Sequence, residues 1–104
     1  MKDTLQSTRC ARILRSLADP DRLRIVQYLR LGPQNVSDIA DQLRSSIGNV
    51  SHHLRILRAA EVVLDEKKGR FVVYSMNPTV YQPADSDAAE HLHLGCCRLE
   101  IPKV

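Results

Sequence analysis

The apolar residues of this chain keep one period up to Ala60 and another after it. Before Ala60 they recur at three- and four-residue spacing, the repeat of a helix packed along one face. After it, Val62-Val63-Leu64 and Phe71-Val72-Val73-Tyr74 form two short β-branched and aromatic runs. They flank Asp65-Glu66-Lys67-Lys68-Gly69-Arg70, a charged tip with a turn glycine, and Asn77-Pro78 closes the second run. That arrangement predicts a β-hairpin.

The helices can be placed from their stop and start signals. Residues 4–18 carry Leu5, Ile13, Leu14 and Leu17 at helical spacing, with Cys10 and Ala11 between. Asp19-Pro20-Asp21 then breaks the chain: Asp19 is a good N-cap, and Pro20 suits the first helical position, where no N–H bond is needed. Leu23, Ile25, Val26, Tyr28 and Leu29 follow, and Gly32-Pro33 ends that helix. Val36-Ser37-Asp38 opens a third, shorter helix, with Ser37 as the expected cap and Ile39, Ala40 and Leu43 as the inner face. After Arg44-Ser45-Ser46, with Ser46 as cap, a fourth helix is expected over residues 47–60. Val50, Leu54 and Leu57 give it one narrow apolar stripe, and its other face carries Asn49, Ser51, His52, His53, Arg55 and Arg58. Two helices joined by a tight turn and followed by a hairpin make a winged helix-turn-helix. The fold expected is therefore mainly α with a small β-hairpin wing, over residues 1–78, with a C-terminal tail over residues 79–104.

Length and composition agree with that reading. The chain has 104 residues, enough for one domain with one core. Aromatic residues make up 4% and Trp is absent, so the core must be aliphatic. No apolar run approaches the ~20 residues of a membrane helix. No apolar signal core follows Met1-Lys2-Asp3-Thr4, so a cytoplasmic protein is expected. Residues 1–76 carry net charge +5 and residues 77–104 net −2. A basic body points to an anionic partner.

The fourth helix and the hairpin tip suit double-stranded DNA. A groove-reading helix needs an apolar side for docking and a face of short hydrogen-bonding residues. Ser46, Asn49, Ser51 and His52 supply that face, and Arg55 suits phosphate. Lys67, Lys68 and Arg70 cluster at the tip, where a wing reaches flanking phosphate. Adjacent histidines on a helix point about 100° apart and chelate poorly, so a DNA-facing or packing role suits both His52 and His53. An enzyme is not expected: the chain has no glycine-rich phosphate loop, no paired-carboxylate constellation and no nucleophile–base pair. A winged-helix module that binds protein rather than DNA remains as a rival reading.

The tail carries the thiols. Cys10, Cys96 and Cys97 are odd in number and lack a CxxC spacing, which reads as reduced thiols rather than a disulfide framework. Leu92 and Leu94 alternate with polar residues, Leu99 and Ile101 alternate on the opposite parity, and the switch falls at Gly95-Cys96-Cys97. A strand with a β-bulge is expected there, paired with another strand that the second subunit can supply. Cys96 and Cys97 are either small apolar fillers or a soft-ligand or redox site, with His91 and His93 close by. No resident cofactor is called for; a thiophilic metal or metalloid ion is the candidate ligand.

Several motifs in register resemble the ArsR/SmtB-type transcriptional repressors. They are Leu17-Ala18-Asp19-Pro20-Asp21-Arg22-Leu23-Arg24-Ile25-Val26, then Val36-Ser37-Asp38-Ile39-Ala40, then Val50-Ser51-His52-His53-Leu54-Arg55-Ile56-Leu57-Arg58-Ala59-Ala60, and Gly69-Arg70 with Val72-Val73-Tyr74. The resemblance covers roughly residues 5–77. It implies a homodimeric repressor that leaves DNA when an inducer binds. It also implies that the first helix and the C-terminal element share the dimer seam, which would bring Cys10 to Cys96 or Cys97, as three thiolates or as a disulfide. The chain departs from the pattern in three places. Glu61 stands where the family has Gly after the recognition helix. Val36-Ser37-Asp38 lacks the thiols of one metal site. Pro83 argues against the long C-terminal helix that carries another. A constitutive or organic-ligand-controlled DNA binder with structural cysteines stays open beside the thiol sensor.

Overall fold

The computed structural model describes residues 6–82 and 90–101. Helix α1 spans Ser7–Leu17 and buries Cys10, Ile13, Ser16 and Leu17. The Ser16 hydroxyl is satisfied inside its own helix, donating to the Ile13 carbonyl at 2.7 Å. The expected start at residue 4, and Leu5 with it, lie outside the described residues. Helix α2 spans Pro20–Leu29. Asp19 is its N-cap as read: its Oδ1 accepts from the backbone N–H groups of Asp21 at 2.9 Å and Arg22 at 3.1 Å.

Helix α3 spans Val36–Leu43, but Ser37 does not cap it. Asn35 does, accepting from the Asp38 N–H at 2.9 Å. The reason lies in a short strand, β1 (Gln34–Asn35), which holds Asn35 extended just before the helix. Helix α4 spans Ile47–Ala59 and is capped by Ser46, whose Oγ accepts from the Asn49 N–H at 3.1 Å. Glu61 follows with φ 63°. This left-handed position is where the resemblance expects Gly, and it is unfavourable for a residue with a Cβ. The Glu61 carbonyl is held by the Asn77 side-chain amide at 2.8 Å.

The wing is larger than the sequence suggested. Strands β2 (Val63–Lys68) and β3 (Phe71–Met76) pair antiparallel, and β1 adds to the far side of β3. Asp65 to Lys68 belong to the strand, so the turn is only Gly69 and Arg70. Gly69 has φ 62°.

The tail is not a bulged strand. Strand β4 (Tyr81–Gln82) pairs with β5 (Glu90–His93), which pairs antiparallel with β6 (Arg98–Ile101). The parity switch comes from a tight turn, in which the Leu94 N–H donates to the Cys97 carbonyl at 3.0 Å. The pairing is within one chain. Its apolar residues enter the same core as the helices: Leu92, Leu94 and Ile101 are buried with Cys10, Ile13, Ile25, Leu29, Leu54 and Leu57. An ion pair also ties the tail down, Arg30 Nη1 to Glu90 Oε2 at 3.2 Å, with the side chains only 11% and 15% exposed. No described helix is long and apolar enough to cross a membrane.

Candidate nucleic-acid interface and thiol cluster

Val50, His53, Leu54 and Leu57 turn one side of α4 into the core. At about 100° per residue, Gly48, His52 and Arg55 fall on the opposite side. Asn49, His52 and Arg55 are exposed and Ser51 is half-buried. Ser45 orients Asn49, whose side-chain amide donates to the Ser45 Oγ at 2.8 Å. Ser46 spends its hydroxyl on the cap. Arg58 donates to Asp65 at 2.8 Å and so braces the wing against the helix. Lys67, Lys68 and Arg70 are exposed at the end of the hairpin. The helix face and the wing tip are both exposed, and the Arg58–Asp65 pair fixes the wing to the helix.

His53 does not face outward. It is buried, and its Nδ1 accepts from Arg22 Nη1 at 3.2 Å while its Nε2 lies 3.7 Å from Asp21 Oδ2. Asp19, Asp21 and His53 bring three ligand-type atoms within 4.8 Å of one another. The Arg22 guanidinium already holds the His53 Nδ1, so this corner is a protein hydrogen-bond junction, not a cation site. The Asp19 carboxyl lies below its ordinary value of 3.8, chiefly because it accepts the Arg22 backbone N–H.

The first turn of α4 also leaves Ile47 and Gly48 exposed. Ile47 is 55% exposed at the tip of α4. Gly48 follows it, and a Cβ there would meet nothing.

The second site lies where α1 meets the tail turn. Cys10 is buried on α1, and its sulfur is bridged to that of Cys96, with Cα atoms 5.9 Å apart. That separation is ordinary for a disulfide. The exposed Cys97 Sγ lies 3.8 Å from the Cys96 Sγ. All three sulfurs lie within 4.8 Å of one another. Gly95 makes the approach possible: its φ is 95°, and a Cβ there would come within 3.3 Å of the Gln6 side chain. The opening beside the sulfurs is lined by His93, Gly95 and Arg98. His93 does not join the sulfur group, and His91 faces Glu100 instead, at 3.9 Å.

Comparison with known proteins fits this geometry. Residues 19–64 match the family described as "Bacterial regulatory protein, arsR family". The chain is 41% identical over 96 residues to the HTH-type transcriptional regulator NmtR of Mycobacterium tuberculosis, covering 89% of this chain and 80% of that protein. This chain belongs to the arsR family. Another family relative, the transcriptional repressor SdpR of Bacillus subtilis, is 41% identical over 70 residues, which span 67% of this chain and 78% of SdpR. The fold matches the solution structure of a homodimeric winged helix-turn-helix DNA-binding domain from Mycobacterium bovis, with TM-score 0.68 and 24% identity over 74% of this chain and 73% of that one. As a family member the chain is a DNA-binding transcriptional repressor, built as a winged helix-turn-helix.

Proposed function

We propose that this repressor acts as a homodimer whose hold on operator DNA is set by the chemical state of Cys10, Cys96 and Cys97. The observation that carries the reading is the meeting of three sulfurs from α1 and the tail turn within 4.8 Å. Three thiolates at that spacing suit a thiophilic ion of trigonal or tetrahedral preference, and soft ligands of this kind select soft metals and metalloids. Asn49, Ser51, His52 and Arg55 serve the major groove, with backbone N–H groups at the Ser46 cap available to a phosphate. Lys67, Lys68 and Arg70 hold flanking phosphate.

Position supports the switch. Paired recognition helices must sit about one DNA turn, ~34 Å, apart. Cys10 stands on α1, whose Ser16 carbonyl is held by Arg22, which in turn meets His53 on the recognition helix. A ligand that favours one dimer shape over another shifts the population of the DNA-competent form.

The Cys10–Cys96 bridge favours a redox reading of the same site. Oxidation by hydrogen peroxide would join the two sulfurs and release two waters per bridge, taking two electrons and two protons from the thiols. A bridged pair cannot ligate an ion, so oxidation and ion binding exclude each other at this site.

The test is fluorescence anisotropy of the reduced protein on DNA from its own upstream region. Arsenite, cadmium, zinc, copper(I) and a mild oxidant are titrated in turn, beside a Cys96→Ser/Cys97→Ser variant. Release of the wild type but not the variant by one agent supports the proposal and names the class. Tight binding through every agent leaves the cysteines structural.

A further inference from the structure

The tip of the recognition helix carries two features that folding does not require. Ile47 is 55% exposed, so more than half of a large aliphatic side chain faces water. Gly48 sits next to it inside the first turn of α4, without a positive φ and with open space where a Cβ would stand. A glycine within a helix is less stable than alanine there, and here neither packing nor backbone conformation calls for one. Both residues lie beside Asn49, which Ser45 holds in place.

We infer that Ile47 and Gly48 are sequence-reading residues. Gly48 is the bare point at which the helix approaches closest to base edges, and Ile47 is the apolar surface that meets a thymine C5-methyl group. The chemistry is that of the major groove. There the thymine methyl is the one apolar mark on a base edge, and aliphatic side chains recognise it. Ile47 opens α4 in line with Val50, Leu54 and Leu57, but one turn before the buried part of that stripe, so more than half of it is left exposed at the helix tip to meet a base edge. This inference rests on the reading of α4 as the groove-entering helix.

Duplexes are first selected from a randomised library with the wild-type protein, and each thymine in the winning sequence is then replaced by deoxyuridine, which deletes only the methyl. One replacement is expected to weaken the wild type by about fourfold, the value of one buried methylene-sized group. Ile47→Ala is expected to bind thymine and uracil duplexes alike at that position while still preferring the selected sequence elsewhere. Gly48→Ala is expected to raise the melting temperature by roughly 4 °C and yet weaken DNA binding at least tenfold, opposite signs that a structural role cannot give. If Ile47→Ala keeps the wild-type discrimination at every thymine, or Gly48→Ala binds DNA as well as the wild type, the inference is overturned. If the wild type selects no duplex, the reading of α4 itself fails.

Discussion

The Arg22 guanidinium reaches two helices at once: its Nε donates to the Ser16 carbonyl at the end of α1 at 2.6 Å, and its Nη1 donates to His53 Nδ1 on α4 at 3.2 Å. The planar fork of arginine makes this possible, since its donors point in fixed, different directions. Arg22→Ala should destabilise the protein by about 2–3 kcal/mol in urea unfolding, the range for losing charge-assisted hydrogen bonds in a mostly buried setting. Arg22→Lys should not restore it, because one ammonium cannot span both acceptors. DNA affinity measured alongside should fall in both variants. Full retention of affinity in Arg22→Lys would show that α4 is positioned without this link.

Glu61 offers a change in the opposite direction. Its left-handed backbone carries a penalty of about 1 kcal/mol or more for any side chain. Glu61→Gly should raise stability by about 0.5–1 kcal/mol, the relief being partly offset by the greater freedom of glycine in the unfolded chain. Glu61→Val should lower it, because β-branching sharpens the clash. Chemical denaturation of the two variants checks both signs.

The Asp19 cap sets an acid limit. Its carboxyl lies below the ordinary 3.8 when folded, held there first by the Arg22 N–H. A group depressed on folding contributes stability above its unfolded value and loses it as pH falls through the folded one. Wild type and Asp19→Ala should therefore differ above the ordinary carboxyl value and converge as pH falls through the lowered folded one, read as thermal midpoints on the way into acid. A gap that stays constant into acid would assign the cap another origin.

Glu90 should be the residue on which the tail's attachment depends. Removing one partner of a largely buried pair strands the other, and Glu90→Ala should cost about 3 kcal/mol. Glu90→Gln, which keeps an acceptor, should cost less. Protease sensitivity of the tail should rise in the same order.

Binding by the wing should show in its salt response. Each phosphate contact adds about 0.9 to the slope of log affinity against log salt. Lys67→Ala/Lys68→Ala should flatten the slope by about 1–2 while leaving sequence preference intact. An unchanged slope would remove the wing tip from the interface.

Local signals in the chain were dependable where one residue type had one use. Asp19 before Pro20, and Ser46 before Ile47, could be read as caps because the following helix admits no other start. The third helix offered two candidates, and only the pairing of Gln34–Asn35 with Tyr74 and Val73, a long-range event, chose Asn35 over Ser37. The tail failed for a similar reason. A parity shift looks the same whether a bulge or a four-residue turn produces it, and the turn is decided by β5 finding β6 and β4. His53 was ambiguous in the helical pattern because its partner, Arg22, lies 31 residues away. The meeting of Cys10 with Cys96 was expected from family resemblance alone, since nothing local links residues 86 apart.

The Cys10–Cys96 bridge makes most of the chain a covalent ring. Its two anchor points are 86 residues apart, so closing it removes a large share of the disorder available to the unfolded polymer, about 4–5 kcal/mol on a chain-entropy account. Opening the ring returns that disorder and lets α1 and the tail hairpin drift apart when the protein unfolds. The bridged and open forms therefore differ in lifetime. In a cell that degrades unfolded chains, the same two sulfur atoms would set how much repressor there is.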